Sequence, residues 1–154
     1  MKTINNIVEY IVPKTLALVR RYVLSEEVEI NYCAIFCQNE EEYKELEAEA
    51  SGLGEVVDDT PTGPLYRLQE PLETVAGPLY LIKIRKPDPV RPQRGDADFT
   101  LKNYEAFKKK HAGDTEHFKV INRDTFEMIE LRDSKIDVLV YFSNPPLTKQ
   151  FSIT

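Results

Sequence analysis

The 154-residue chain is short of the residues that usually announce chemistry. It has two histidines and two cysteines. It contains no Cys-x-x-Cys pair, no phosphate-binding glycine loop, no dinucleotide-binding glycine pattern and no nucleophile elbow. It lacks the run of ~18 apolar residues that a membrane helix requires, so no membrane partner is expected. It has no excess of positive charge. The net charge of −6 argues against nucleic acid, whose phosphates call for a basic surface. No secretory signal is visible, and with only two cysteines this points to a reduced cytoplasm. What is present is 42% hydrophobic, 30% charged and 10% aromatic, the balance of a soluble globular chain able to bury a core. The length fits one domain over residues 1–154.

Charge is unevenly spread. Residues 26–75 carry fourteen acids against two Lys/Arg, whereas residues 76–110 carry nine Lys/Arg against four acids. Acids collected on one solvated helix account for the first block.

Residues 1–25 predict an N-terminal helix. Ile4, Ile7, Val8, Ile11 and Val12 recur at helical spacing, and Leu16, Val19 and Val23 continue the stripe towards Leu24. Pro13 interrupts, and it suits the first position of a second helix, where its missing N–H costs nothing. The segment lacks the exposed aromatics of a membrane-surface helix. It is expected to pack Ile7, Ile11, Leu16 and Val23 on protein.

Residues 28–37 alternate β-branched and aromatic side chains, as a strand does. Asn39 followed by three glutamates starts a helix over 39–51, which Gly52 or Gly54 ends. Short extended segments follow at 54–58, 65–68 and 78–86. Residues 87–95 hold three prolines and read as a stiff connector. The pattern then begins again: a strand at 96–101, a helix at 104–111 capped by Asn103, and strands at 117–122, 126–131 and 136–142. Asn144, Pro145 and Pro146 stop the last strand, and 145–154 reads as a tail. Cys33 and Cys37 read as small buried hydrophobes. His111 and His117, on either side of a helix-to-strand turn, read as capping rather than catalytic groups.

The order is thus a helix, βαβββ over 28–86, the connector 87–95, and βαβββ over 96–144. Two consecutive βαβββ units resemble the vicinal oxygen chelate superfamily, which includes glyoxalase-like lyases, bleomycin-resistance proteins and extradiol dioxygenases. The resemblance lies in element order. It implies an α+β fold in which the units curl into a cup-shaped mixed sheet, with helices outside and a cleft inside. Metal-using members place His, Glu or Gln on the first and last strands of each unit. Here those strands offer Asn31 and Cys33, Lys83 and Arg85, Asp96 and Asp98, and Asp137 and Tyr141. No histidine lies on them, and two of the residues are cations that oppose a divalent ion. The chain looks more like the superfamily's metal-free binding members, and no cofactor is expected.

Alternation sorts the side chains further. Tyr80, Ile82 and Ile84 share one face, and Leu79, Leu81, Lys83 and Arg85 the other. Ala97, Phe99 and Leu101 oppose Asp96, Asp98 and Thr100. With the apolar faces under the helices, Lys83, Arg85, Asp96 and Asp98 line the cleft, joined by Tyr141. Such a cleft can hold a small anionic or zwitterionic ligand by charge-assisted bonds. The same charges can also form a ligand-free ion-pair network worth little energetically. Lys86, Arg91 and Arg94 extend the cationic cluster, either to grip an anion or to balance the acidic helix. Two further readings stand beside binding. One is a lyase or isomerase with Asp98 or Glu127 as base, and with Asp137 as a further cleft acid. The other is an interaction module whose N-terminal helix and open sheet edges form a homodimer or dock a protein. The donor set predicts that purified protein carries no stoichiometric zinc, iron, nickel or manganese. Elemental analysis checks this, and about one metal per chain, lost on changing Asp96 or Asp98, is the contrary outcome.

Overall fold

The computed structural model describes residues 3–23 and 26–153. The N-terminal stripe forms one helix, α1 (Ile4–Tyr22). Thr3 caps it by accepting from the Asn6 N–H, and the Asn6 side chain returns the bond to the Thr3 N–H. Pro13 lies inside α1 rather than at a break. A mid-helix proline costs about 3 kcal/mol. Ile4, Ile7, Val8, Ile11 and Val12 before it, and Leu16, Leu18 and Val19 after it, are all buried. At roughly 1.5–3 kcal/mol per buried side chain, the shared face outweighs the proline, which points to solvent. Leu24, expected at the helix end, lies outside the described residues.

The remaining elements are β1 (Glu29–Phe36), α2 (Glu40–Leu53), β2 (Gly54–Thr60), β3 (Gly63–Thr74), β4 (Gly77–Arg85), β5 (Gly95–Thr100), α3 (Tyr104–His111), β6 (Phe118–Asn122), β7 (Glu127–Leu131), β8 (Val138–Asn144) and α4 (Leu147–Gln150). Asn39 caps α2 through the Glu42 N–H, and Asn103 caps α3 through the Ala106 N–H. The strands form one mixed sheet in the order β2-β3-β4-β1-β5-β8-β7-β6. β1 runs parallel to β4, and β5 parallel to β8. β1 and β5 pair antiparallel in the middle. Each βαβββ unit therefore sets its first strand beside its last, and the units join first strand to first strand. The sheet is an unclosed cup, with β2 and β6 at its edges. Among the described residues no helix is long and apolar enough to cross a membrane.

The two sheet faces differ as alternation demands. Ile35, Ile82, Ile84, Phe99, Ile129 and Phe142 join the stripes of α1, α2 and α3 in one large core, which also takes Cys33 and Cys37. Ala34, Phe36, Met128, Leu139 and Tyr141 form a smaller cluster on the opposite, concave face.

Apart from Pro13, the structure departs from the sequence pattern in the extent of β3, the side taken by Leu79 and the segment after Asn144. β3 runs from Gly63 through Pro71 to Thr74, well beyond residues 65–68. Pairing with β4 skips between Arg67↔Leu81 and Leu72↔Leu79. That irregularity takes Pro71 out of the ladder, where its missing N–H is tolerated. Beyond it Leu79 packs in the helix-side core, not on the face of Lys83. Finally, the segment after Asn144 is not a loose tail. It forms α4, which returns to pack against β1.

Gly95 marks the tightest joint between helix and sheet. A Cβ there would stand 2.3 Å from the Ala34 carbonyl oxygen and 2.5 Å from Ile11 Cδ1. Gly95→Ala is therefore expected to cost ~1–3 kcal/mol by overpacking, read as a lower urea midpoint. An unchanged midpoint would show that the β1 backbone at Ala34 and the Ile11 side chain both give way at little cost.

A polar cleft as candidate ligand site

The concave face is built from rows of side chains set by strand register. Ala34 on β1 is flanked by Lys83 on β4 and by Asp96 on β5. Lys83 and Asp96 thus stand two strand spacings apart, about 10 Å between backbones, with only a methyl group between them. The next row runs Tyr32, Asp98, Tyr141, Glu130 across β1, β5, β8 and β7. Arg85 lies beside Phe36. A cleft of about 410 Å³ opens over these rows, with Leu65, Phe126, Met128, Leu147 and Phe151 among its walls. All five residues singled out by alternation and resemblance, Lys83, Arg85, Asp96, Asp98 and Tyr141, line it.

The two aspartates do different work. Asp98 is 1% exposed and its oxygens are taken. Oδ1 accepts from Asn31 Nδ2 at 3.0 Å and from the Ser143 N–H at 3.1 Å, and Oδ2 makes a short bond with the Ser143 hydroxyl. Asn31 reaches it because β1 bulges between Ile30 and Tyr32, which turns two consecutive side chains the same way. Alternation alone puts Asn31 with Cys33; the bulge separates them. Asp96 is 7% exposed, and its Oδ1 is buried without a hydrogen-bond partner among the described residues. Burial, reinforced by the neighbouring Asp98 carboxylate, raises Asp96 to about 7, against the pull of Lys83, Arg85 and Arg91. Burial likewise raises Asp98 to about 7, against its bonds from Ser143 and Asn31.

The cations have anchors of their own. Lys83 Nζ donates to Thr62 Oγ1 at 2.5 Å, and burial and the nearby Arg85 lower its pKa. Arg85 lies over the Phe36 ring at 5.2 Å and reaches Asp88 at 3.6 Å. Its Nε is buried and has no partner among the described residues. Arg91 stands near the Tyr141 hydroxyl, which itself donates to Glu130 at 2.8 Å.

Other candidates fall elsewhere. Glu127 accepts from Tyr104 and Lys108 of α3, and Asp137 accepts from Tyr10 and Lys14 of α1. Neither lines the cleft, because β7 presents Met128 there and β8 begins after Asp137. Arg94 does balance the acidic helix: it holds Glu42 of α2 through two bonds, 2.7 and 3.0 Å. His111 stacks on Phe107 and Phe118, and His117 faces Asp114. A second hollow of about 500 Å³ lies at the end of α1, but its groups largely satisfy one another, as Tyr22 and Arg21 do with Asp133. Sequence reading passed over Tyr32 and Ser143, which alternation with Ala34 and Tyr141 would have found. It also missed Gln150 and Phe151, for which no periodic signal exists.

The cleft-facing positions of β1, β4, β5 and β8 are those that the resemblance drawn from element order marked for metal ligands. Here Asp96 and Asp98 are the only acids among the cleft-facing residues at those positions, and Lys83 and Arg85 stand opposite them. Among the described residues no three His, Cys, Asp or Glu side chains converge as a metal site. The donor set does not fit a resident divalent ion.

No family model and no curated protein matches the chain. Solved structures do. One described as "Structural Genomics, Protein EC4020" superposes with a TM-score of 0.65 at 11% identity, covering 99% of this chain and 97% of that one. A glyoxalase/bleomycin resistance protein/dioxygenase superfamily member from Vibrio splendidus 12B01 gives a TM-score of 0.47 at 10% identity, over 77% of this chain and 98% of that one. What the first shares with this chain is the fold.

A carboxyl whose pKa is higher folded than unfolded binds its proton more tightly in the folded state. Between about pH 4 and pH 7 its contribution to stability therefore falls as pH rises, and the loss is complete above the folded pKa. Asp96→Asn removes one such group. It is expected to raise stability at about pH 8 by ~1–3 kcal/mol and to flatten the decline from about pH 5. Urea midpoints of both proteins at the two pH values check this. An Asn variant that parallels the parent would remove Asp96 as the source of the slope.

Proposed function

We propose that the protein is a metal-independent binder of a small organic anion or zwitterion, taken up in the concave cleft. One observation carries this reading: an acceptor, Asp96 Oδ1, and a donor, Arg85 Nε, are both buried in the same cleft without partners among the described residues. A buried polar group left unsatisfied costs roughly 1–3 kcal/mol. A pair of opposite kinds in one cavity is answered by a ligand that offers both an acceptor and a donor. Arg85, Lys83, Arg91 and Arg123 line the cleft and draw the anionic end. Apolar walls of Phe126, Met128 and Phe151 take the body, the usual make-up of a small-molecule pocket.

Arg85→Ala is expected to lower affinity for 3-phenyllactate at least tenfold in isothermal titration, since a charge-assisted bond contributes ~1.5–3 kcal/mol. The melting temperature should stay nearly unchanged, because a partly exposed pair such as Arg85–Asp88 contributes about 0–1 kcal/mol. A variant that melts early yet binds as before would assign Arg85 to structure instead.

A further inference from the structure

We infer that the ligand is a carboxylate carrying a hydrogen-bond donor, a hydroxyl or ammonium, close to its acid group, and that Asp96 is the residue that reads this donor. The inference rests on the binding role proposed above and adds which chemistry the cleft selects.

Asp58 at the cleft's rim is open to water, and Asn31 Oδ1, unpartnered as well, does not line the cleft, so among the buried carboxylates of the lining one acceptor position is open. Asp98 has both oxygens filled by Asn31 and Ser143. Glu130 takes the Tyr141 proton. Asp96 Oδ1 alone among these carboxylate oxygens is buried and unpartnered, although cations stand nearby. Lys83 is held by Thr62, and Arg85 by Asp88 and the Phe36 ring, while Arg91 stands near the Tyr141 hydroxyl. Their positive field remains in the cleft, so a bare cation entering to fill Asp96 is opposed by Lys83, Arg85 and Arg91. A donor attached to an anion is not. Its carboxylate meets the Arg85 side while its hydroxyl or ammonium meets Asp96. The methyl side chain of Ala34 between Lys83 and Asp96 adds no polar group that could bridge them. α-Hydroxy and α-amino carboxylates with an apolar body share this chemistry.

Three probes of one shape separate the possibilities: 3-phenylpropionate, 3-phenyllactate and phenylalanine, titrated into the full chain at pH 8. The hydroxyl, the ammonium or both should improve affinity about tenfold or more over the parent propionate, the worth of one bond to a charged group. Asp96→Ala should erase that gain, so that the three probes bind the variant alike; the comparison is made among probes within each protein, because losing the Asp96 charge favours every anion. Asp96→Asn, which keeps a carbonyl acceptor but no charge, should spare much of a hydroxyl gain and abolish an ammonium gain, so the two donors are told apart. Should Asp96→Ala fail to fold, Asp96→Asn with phenylalanine and 3-phenylpropionate makes the same comparison. Equal binding of all three probes, still dependent on Arg85, would overturn the donor inference and leave anion binding standing. Absence of binding by all three at millimolar concentration would overturn both.

Discussion

The antiparallel pairing of β1 with β5 is the joint on which the molecule depends. Each βαβββ unit ends its own sheet at its first strand, whose outer edge would otherwise expose unpaired backbone groups. Joining the two edges makes one sheet and places β1 and β5 at its centre. The same joint makes the cleft floor, because the concave side chains of these strands, Tyr32, Ala34, Asp96 and Asp98, come from the most buried part of the sheet. Helix α1 lies on the other side of the joint, with Ile11 against Gly95.

Centrality has an electrostatic consequence. Charged side chains on edge strands reach water, but Asp96 and Asp98 do not. Burying two carboxylates side by side favours their protonated forms. One is stabilised by a local device, the β1 bulge that brings Asn31 to Asp98, with Ser143 from β8. The other is left with an empty acceptor. A fold selected for stability alone would place apolar residues there, as it does on the helix face of the same strand with Ala97 and Phe99. Strained or unsatisfied groups of this kind are characteristic of functional positions.

Much of this was legible in the residues. Period-two alternation set Lys83 and Arg85 against Ile82 and Ile84, and Asp96 and Asp98 against Ala97 and Phe99, and both separations hold in the sheet. Asn39 and Asn103 announced the starts of α2 and α3. Alternation failed where the backbone departs from a regular pleat. The β1 bulge brought Asn31 to Asp98, β3 runs past Pro71 across an irregular pairing with β4, and Leu79 lies in the helix-side core. It also had nothing to say about Glu127 and Asp137, whose side chains are fixed by partners on α3 and α1 more than a dozen residues away in sequence.

The sequence by itself determined the element order as far as β8, the apolar stripe of α1, the faces of β5 and those of β4 from Ile82 onward. Each depends on a repeat of two or 3.6 residues that the backbone imposes locally. Only the tertiary structure decided which unit edge meets which, which of two buried aspartates keeps an open oxygen, and where residues 145–153 go. Those outcomes depend on register between distant strands and on the return of α4 over β1. Neither leaves a periodic trace in the chain, because the contacts that fix them join residues far apart along it.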